Sequence, residues 1–189
     1  MRLHIPPPHC SMCGKPFPWK RDETPKTEQP PTAPRTNEIF VVHGHDEEMK
    51  HHVARTLTDL GLDPIILSEQ ANKGMTLIEK LVHSSGVGFA VVLISPDDLG
   101  YAAKKGPNSA KHRPRQNVVL ELGYFIGLLG RDFVCTLKRG DDLELPSDFL
   151  NVAYTAYDDA NQWRLELVRE LQAAGYSVDA NSLIKRAAV

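Results

Sequence analysis

At 189 residues the chain holds enough apolar sequence for one full hydrophobic core and a tail, not for two sizeable domains. Hydrophobic content of 41% and charged content of 24% are those of a globular chain, and no apolar run nears the roughly 20 residues of a membrane helix. A formal net charge of -2 lacks the concentrated positive charge that phosphate backbones demand, so the composition argues against nucleic-acid and membrane partners and for a cytoplasmic protein.

Residues 1–36 hold most of the prolines, including Pro6–Pro8 and Pro30–Pro31, among Lys, Glu and Thr with few aliphatic residues. Such a stretch buries too little surface to offset chain entropy and reads as a flexible, Pro-rich leader. Cys10 and Cys13 have the two-residue spacing that lets two thiolates reach one zinc ion, with His4 and His9 nearby, so a metal knuckle is one reading and an incidental CxxC in a disordered tail the other. Cys135 lies inside an apolar run and packs as a small core residue.

Residues 38–43 form a short β-branched run expected to be a strand, followed by a helix to about Leu60 with Asp46 as N-cap, Glu47 and Glu48 in its first turn, and Gly61 as C-cap glycine. The unit repeats with a strand at 64–67, a polar loop Ser68–Met75 and a helix over 76–84. Val87–Ile94 is the longest apolar run, and continuous hydrophobicity marks a strand covered on both faces. A long loop over 95–113, a helix carrying Glu121, strands at 133–137 and 152–155, and a closing helix over 162–173 complete the pattern, with 181–189 as a tail. Strands alternating with helices predict an α/β fold: a flavodoxin-like, three-layer sandwich around a five-stranded parallel sheet of order 2-1-3-4-5. In such a sheet, ligands gather at the carboxyl ends of the strands.

The stretch Arg113–Gly130 reads as a helix that is apolar almost all round, with one carboxylate, Glu121. On spacing alone the favoured reading is an ion pair with Arg113 or Arg115; the other is a carboxyl held for chemistry, its pKa raised by desolvation. Three polar stretches converge on the same sheet edge. His43, Gly44 and His45 combine a backbone that a ligand can approach with a helix N-terminus that favours anions. Ser68, Glu69, Asn72 and Lys73 lie in a loop able to close over a nucleotide, with Lys73 near a phosphate and Glu69 or Asn72 near a ribose, or simply to be a solvated connection. Ser95, Asp97 and Asp98 follow the central strand, and Arg115 and Asn117 open the Glu121 helix.

With these pieces in place, the chain resembles the TIR-like domains of bacterial predicted nucleotide-binding proteins, the group that supplies TIR effectors to cyclic-nucleotide anti-phage systems. The resemblance rests on Ile39-Phe-Val-Val-His-Gly-His-Asp46, Ser95-Pro-Asp-Asp98, Arg115 through Gly127, and Glu144-Leu-Pro-Ser147, and covers residues 37–180. It implies an NAD(+) nucleosidase that needs no cofactor, with NAD or a related nucleotide as substrate, Glu121 as its catalytic glutamate, and activation by TIR–TIR self-association through the loop after the second strand. Many TIR domains carry tryptophan four residues before that glutamate; here the position is Asn117, which leaves ring stacking unaccounted for. The chemistry agrees: nicotinamide leaves from a ring nitrogen already cationic, so one carboxylate stabilising the ribosyl cation suffices. Two other readings stand beside it, a nucleoside deoxyribosyltransferase-like enzyme with a glutamate nucleophile and a non-catalytic nucleotide-binding or adaptor module.

Overall fold

The computed structural model describes residues 36–66, 87–146 and 154–185, all within one compact unit, Pro34–Val189. The leader with Cys10 and Cys13, the loop Ser68–Met75 and the helix expected over 76–84 lie outside the described residues. Five strands build the main sheet: β1 (Glu38–Val42), β2 (Asp63–Ile65), β3 (Ala90–Ile94), β6 (Val134–Lys138) and β7 (Thr155–Ala156), between which a hairpin contributes β4 (Asp98–Gly100) and β5 (Lys111–Arg113). Every pairing in the main sheet is parallel, in the order β2-β1-β3-β6-β7. Leaving out the hairpin, this is the 2-1-3-4-5 order expected from the alternating pattern.

Among the described residues the helices are α1 (Glu47–Asp59), α2 (Gln116–Leu129), α3 (Gln162–Ala173) and a single turn α4 (Ser182–Lys185). Because successive strand residues face opposite sides, Ile39 and Val41 join Val91, Leu93 and Leu137 under α1 and α3, while Phe40 and Val42 join Val92 and Ile94 under α2. All five residues of β3 are therefore buried, as its continuous apolar run predicts, and the molecule has three layers. Cys135 is buried in the first cluster, where burial pushes its thiol up to about 12, an inert packing residue.

Local chemistry fixes the helix ends. The Asp46 carboxylate accepts from the Met49 amide at 2.9 Å, and Gly61, at φ +80°, takes the left-handed turn that ends α1. Asp158 accepts from the amides of Gln162 and Trp163 at the start of α3. Trp163, Leu167, Val168 and Leu171 all point into the core, as their spacing predicts. Beyond residue 180, Leu183 of α4 also packs against the first cluster.

The stretch expected as one long loop after β3 is partly ordered as the β4–β5 hairpin, with Asp98 opposite Arg113 and Gly100 opposite Lys111. Three-residue strands without alternating hydrophobicity carry no sequence signal, since their pairing depends on the surroundings rather than on propensity.

Candidate active site

Parallel strands with right-handed crossovers bring the ends of β1, β3 and β6 to one edge, and α1 and α2 both start there. His43 and Gly44 leave β1, Ser95 and Asp97 leave β3, and Arg115 and Asn117 open α2. The His43 ring donates through Nδ1 to the Gly44 carbonyl at 2.8 Å, which fixes that tautomer. Ser95, buried, donates to Asp97 Oδ1 at 2.8 Å. The Asp97 carboxylate lies flat against Gly44, so a methyl group there would overlap it; glycine is required at that position for close approach rather than for its torsion angle. Asp97 Oδ2 is sealed from water and has no hydrogen-bond partner among the described residues. The Arg115 guanidinium meets His45 Nε2, joining the start of α2 to the start of α1. Asp98, by contrast, is taken into the hairpin.

Glu121 sits on the edge of the buried stripe of α2, beside Val118, Leu122 and Phe125, and is 8% exposed. It lies about 7.5 Å along the helix axis from Gln116, with Asn117 one turn nearer the strand ends on the same flank. The expected ion pair is not formed: among the described residues no hydrogen bond or salt bridge reaches Glu121, and Arg113 and Arg115 turn elsewhere. Arg113 lies across Gly100 and Arg115 contacts His45. Desolvation with no compensating cation pushes the Glu121 carboxyl up to about 7. Sequence spacing favoured a partner because two arginines precede the helix, but Arg113 is taken up against Gly100 and Arg115 against His45.

Sequence reading missed Arg139. It follows β6, donates its amide to the Ile94 carbonyl at 2.8 Å, and sends its guanidinium to Asp46 at 2.7 Å and Glu48 at 3.1 Å while lying 4.8 Å over the Tyr157 ring. Burial by itself would lower its pKa; Asp46 and Glu48 outweigh that and raise it. Tyr157 in turn stacks on Trp163 and contacts His52 Nδ1 through its hydroxyl at 2.8 Å. A basic residue directly after an apolar strand, at the carboxyl end where site residues gather, was the available signal. Ser68, Glu69, Asn72 and Lys73 lie outside the described residues, as do Cys10 and Cys13. Among the described residues no group of three or more His, Cys, Asp or Glu side chains is placed to hold a metal, and no helix is long and apolar enough to cross a membrane.

A family model for the TIR domain of CAP12/Pycsar effector proteins matches residues 38–159, which span β1 through β7 and contain Glu121. The chain belongs to this TIR-domain family. YuaY of Escherichia coli K12, itself uncharacterized, is 45% identical to this TIR protein over 152 residues, or 80% of this chain and 50% of YuaY. Protein tirC of Dictyostelium discoideum is 36% identical over 147 residues, covering 73% of this chain and 71% of tirC. The Pycsar effector protein PaPycTIR of Pseudomonas aeruginosa is 39% identical over 70 residues, covering 36% of this chain and 21% of the effector. The TIR chain thus spans half the length of YuaY and about a fifth of PaPycTIR. The fold and the TIR resemblance expected from the sequence are both met; α3 and α4 follow the matched segment.

Proposed function

We propose that this TIR domain is an NAD(+) nucleosidase that cleaves the bond between nicotinamide and ribose. The observation that carries the reading is Glu121, a buried carboxyl without a cationic partner among the described residues, one helical turn along α2 from Asn117. A carboxylate in a desolvated place gains most when positive charge develops beside it, and less in the ground state. As the glycosidic bond breaks, nicotinamide departs with the electron pair and the ribose becomes an oxocarbenium-like cation. Ionised Glu121 stabilises that cation, water then attacks the anomeric carbon, and one proton is released with ADP-ribose. Asp97, Ser95, His43 and Gly44 would contact the nucleotide at the strand ends, with Arg115 near its phosphates. No group outside the protein is required.

Relatives bearing the name Pycsar effector support an effector role in anti-phage or stress signalling. Activation by self-association is supported by the outer face of α2, where Leu120 is 60% and Leu128 43% exposed. The test is release of nicotinamide from NAD by concentrated protein, beside Glu121→Gln. Release that disappears in a folded variant supports the assignment. Release that persists in the variant refutes Glu121 as the catalytic group, and NAD binding with no release from either protein favours the nucleotide-binding module.

A further inference from the structure

The opposite flank of α2 holds a cavity that the nucleosidase reading does not use. It measures about 410 Å³ and lies between Arg113 and Pro114 at the end of the hairpin, Gln116 and Val119 on α2, and Glu144 to Pro146 after β6. At 100° per residue, Val119 and Gln116 face roughly 140–200° away from Glu121, so the cavity and the glutamate share a helix but not a side. The volume falls within the range of small-molecule sites.

Its cation is Arg113, which has no ion pair among the described residues. Arg113 stands opposite Asp98 in the hairpin register, yet no ion pair joins them among the described residues. Its guanidinium lies over Gly100, where a methyl group would overlap it, so the missing side chain is what lets the planar group rest there. Arg113 Nε is sealed from water against Gly100 and has no hydrogen-bond partner among the described residues, so only the terminal guanidinium nitrogens are left for a ligand. A guanidinium held in this way can present its terminal nitrogens to a planar oxyanion. Around it Val119, Leu145 and the two prolines give apolar walls, and the Gln116 amide adds a polar group. Glu144 is exposed at the rim; its backbone N–H donates to the His112 carbonyl at 2.8 Å, which ties this segment to the hairpin. Its negative charge disfavours a dianion.

We propose that this cavity binds a small organic carboxylate with an apolar body, its carboxylate on Arg113 and its body between Val119 and Leu145. The assignment rests on the hairpin and the outer flank of α2 and is independent of Glu121.

The probes are 3-phenylpropionate and phenyl phosphate, titrated into the full chain by calorimetry or by shifts of amide resonances. Saturable binding of 3-phenylpropionate is expected, tighter than phenyl phosphate, and unchanged in Glu121→Gln. Arg113→Gln should weaken it about tenfold or more by removing the charge-assisted pair. Val119→Trp, on a half-exposed position where the larger ring fills the cavity without entering the core, should abolish it while the unfolding temperature is kept. Glu144→Gln should narrow the gap between the two probes. Failure to saturate by about 10 mM, or affinities within about twofold of wild type in both Arg113→Gln and Val119→Trp, would overturn the proposal, and tighter binding of phenyl phosphate would overturn the carboxylate assignment.

Discussion

The start of α1 and the middle of α2 treat carboxylates in opposite ways. At α1, Asp46 caps the helix and meets Arg139, Glu48 shares that arginine, and Glu47 pairs with Lys50. All three sit near the positive end of the helix dipole. At α2, Glu121 is six residues into the helix, beyond reach of the dipole's positive end, in apolar surroundings and without a described partner. The first arrangement lowers the free energy of the folded state. The second raises it, and such a cost persists in a protein where the site uses it.

The sharpest way to break that contrast is Glu121→Gln. Nicotinamide release should fall about 10²–10³-fold, as for loss of one preorganised electrostatic group. The same variant should be more stable than wild type at pH 8, by roughly 1–3 kcal/mol after allowing for partial access of the carboxyl to water, measured by chemical denaturation. An ion-paired glutamate would give the reverse sign. Because the folded-state pKa of Glu121 is raised from 4.5 to about 7, its carboxyl is neutral in both states below the unfolded value; the penalty appears as pH rises through that interval and is complete above it. The stability gap between wild type and variant should therefore close near pH 4.5. Activity should run the other way, rising with pH through about 7 as the carboxylate ionises, read from the pH profile of kcat/KM.

Arg139→Gln tests the other side of the comparison. It should lower stability by about 1–2 kcal/mol at low salt, and less at high salt, because Asp46 and Glu48 lose their shared cation. Asp46→Ala should cost about 1–2 kcal/mol, since it removes both the cap and one of the two anions on Arg139. Glu47→Gln, which removes a solvent-exposed carboxylate that pairs with Lys50 and His51, should produce the smallest change of the set in the same denaturation experiment.

Much of the fold was readable because its signals are local. The apolar run ending at Ile94, the four-residue rhythm of Trp163, Leu167 and Leu171, the Asp46 cap and Gly61 each depend on residues close in sequence. The edges were less so: β2 and β7 are short and contribute only the pairings Glu38 to Asp63 and Leu137 to Thr155 with their neighbours, so their limits shift by a few residues. The hairpin left no trace in hydropathy. At the candidate site, Glu121 stood out because charge within an apolar helix is conspicuous, whereas Arg139 looked like any basic residue after a strand.

The order of strands and helices, the burial of β3 on both faces, the caps of α1 and the placing of a lone carboxylate, Glu121, on an apolar helix are all written along the chain. These follow from periodicity and short-range hydrogen bonding. Where the cations go is set by the packed fold: Arg113 onto Gly100, Arg115 to His45, and Arg139 to Asp46 across 93 residues. A long, flexible cationic side chain can reach many carboxylates, and which one it meets depends on strand register and helix rotation that no local pattern encodes. That choice left Glu121 without a described partner.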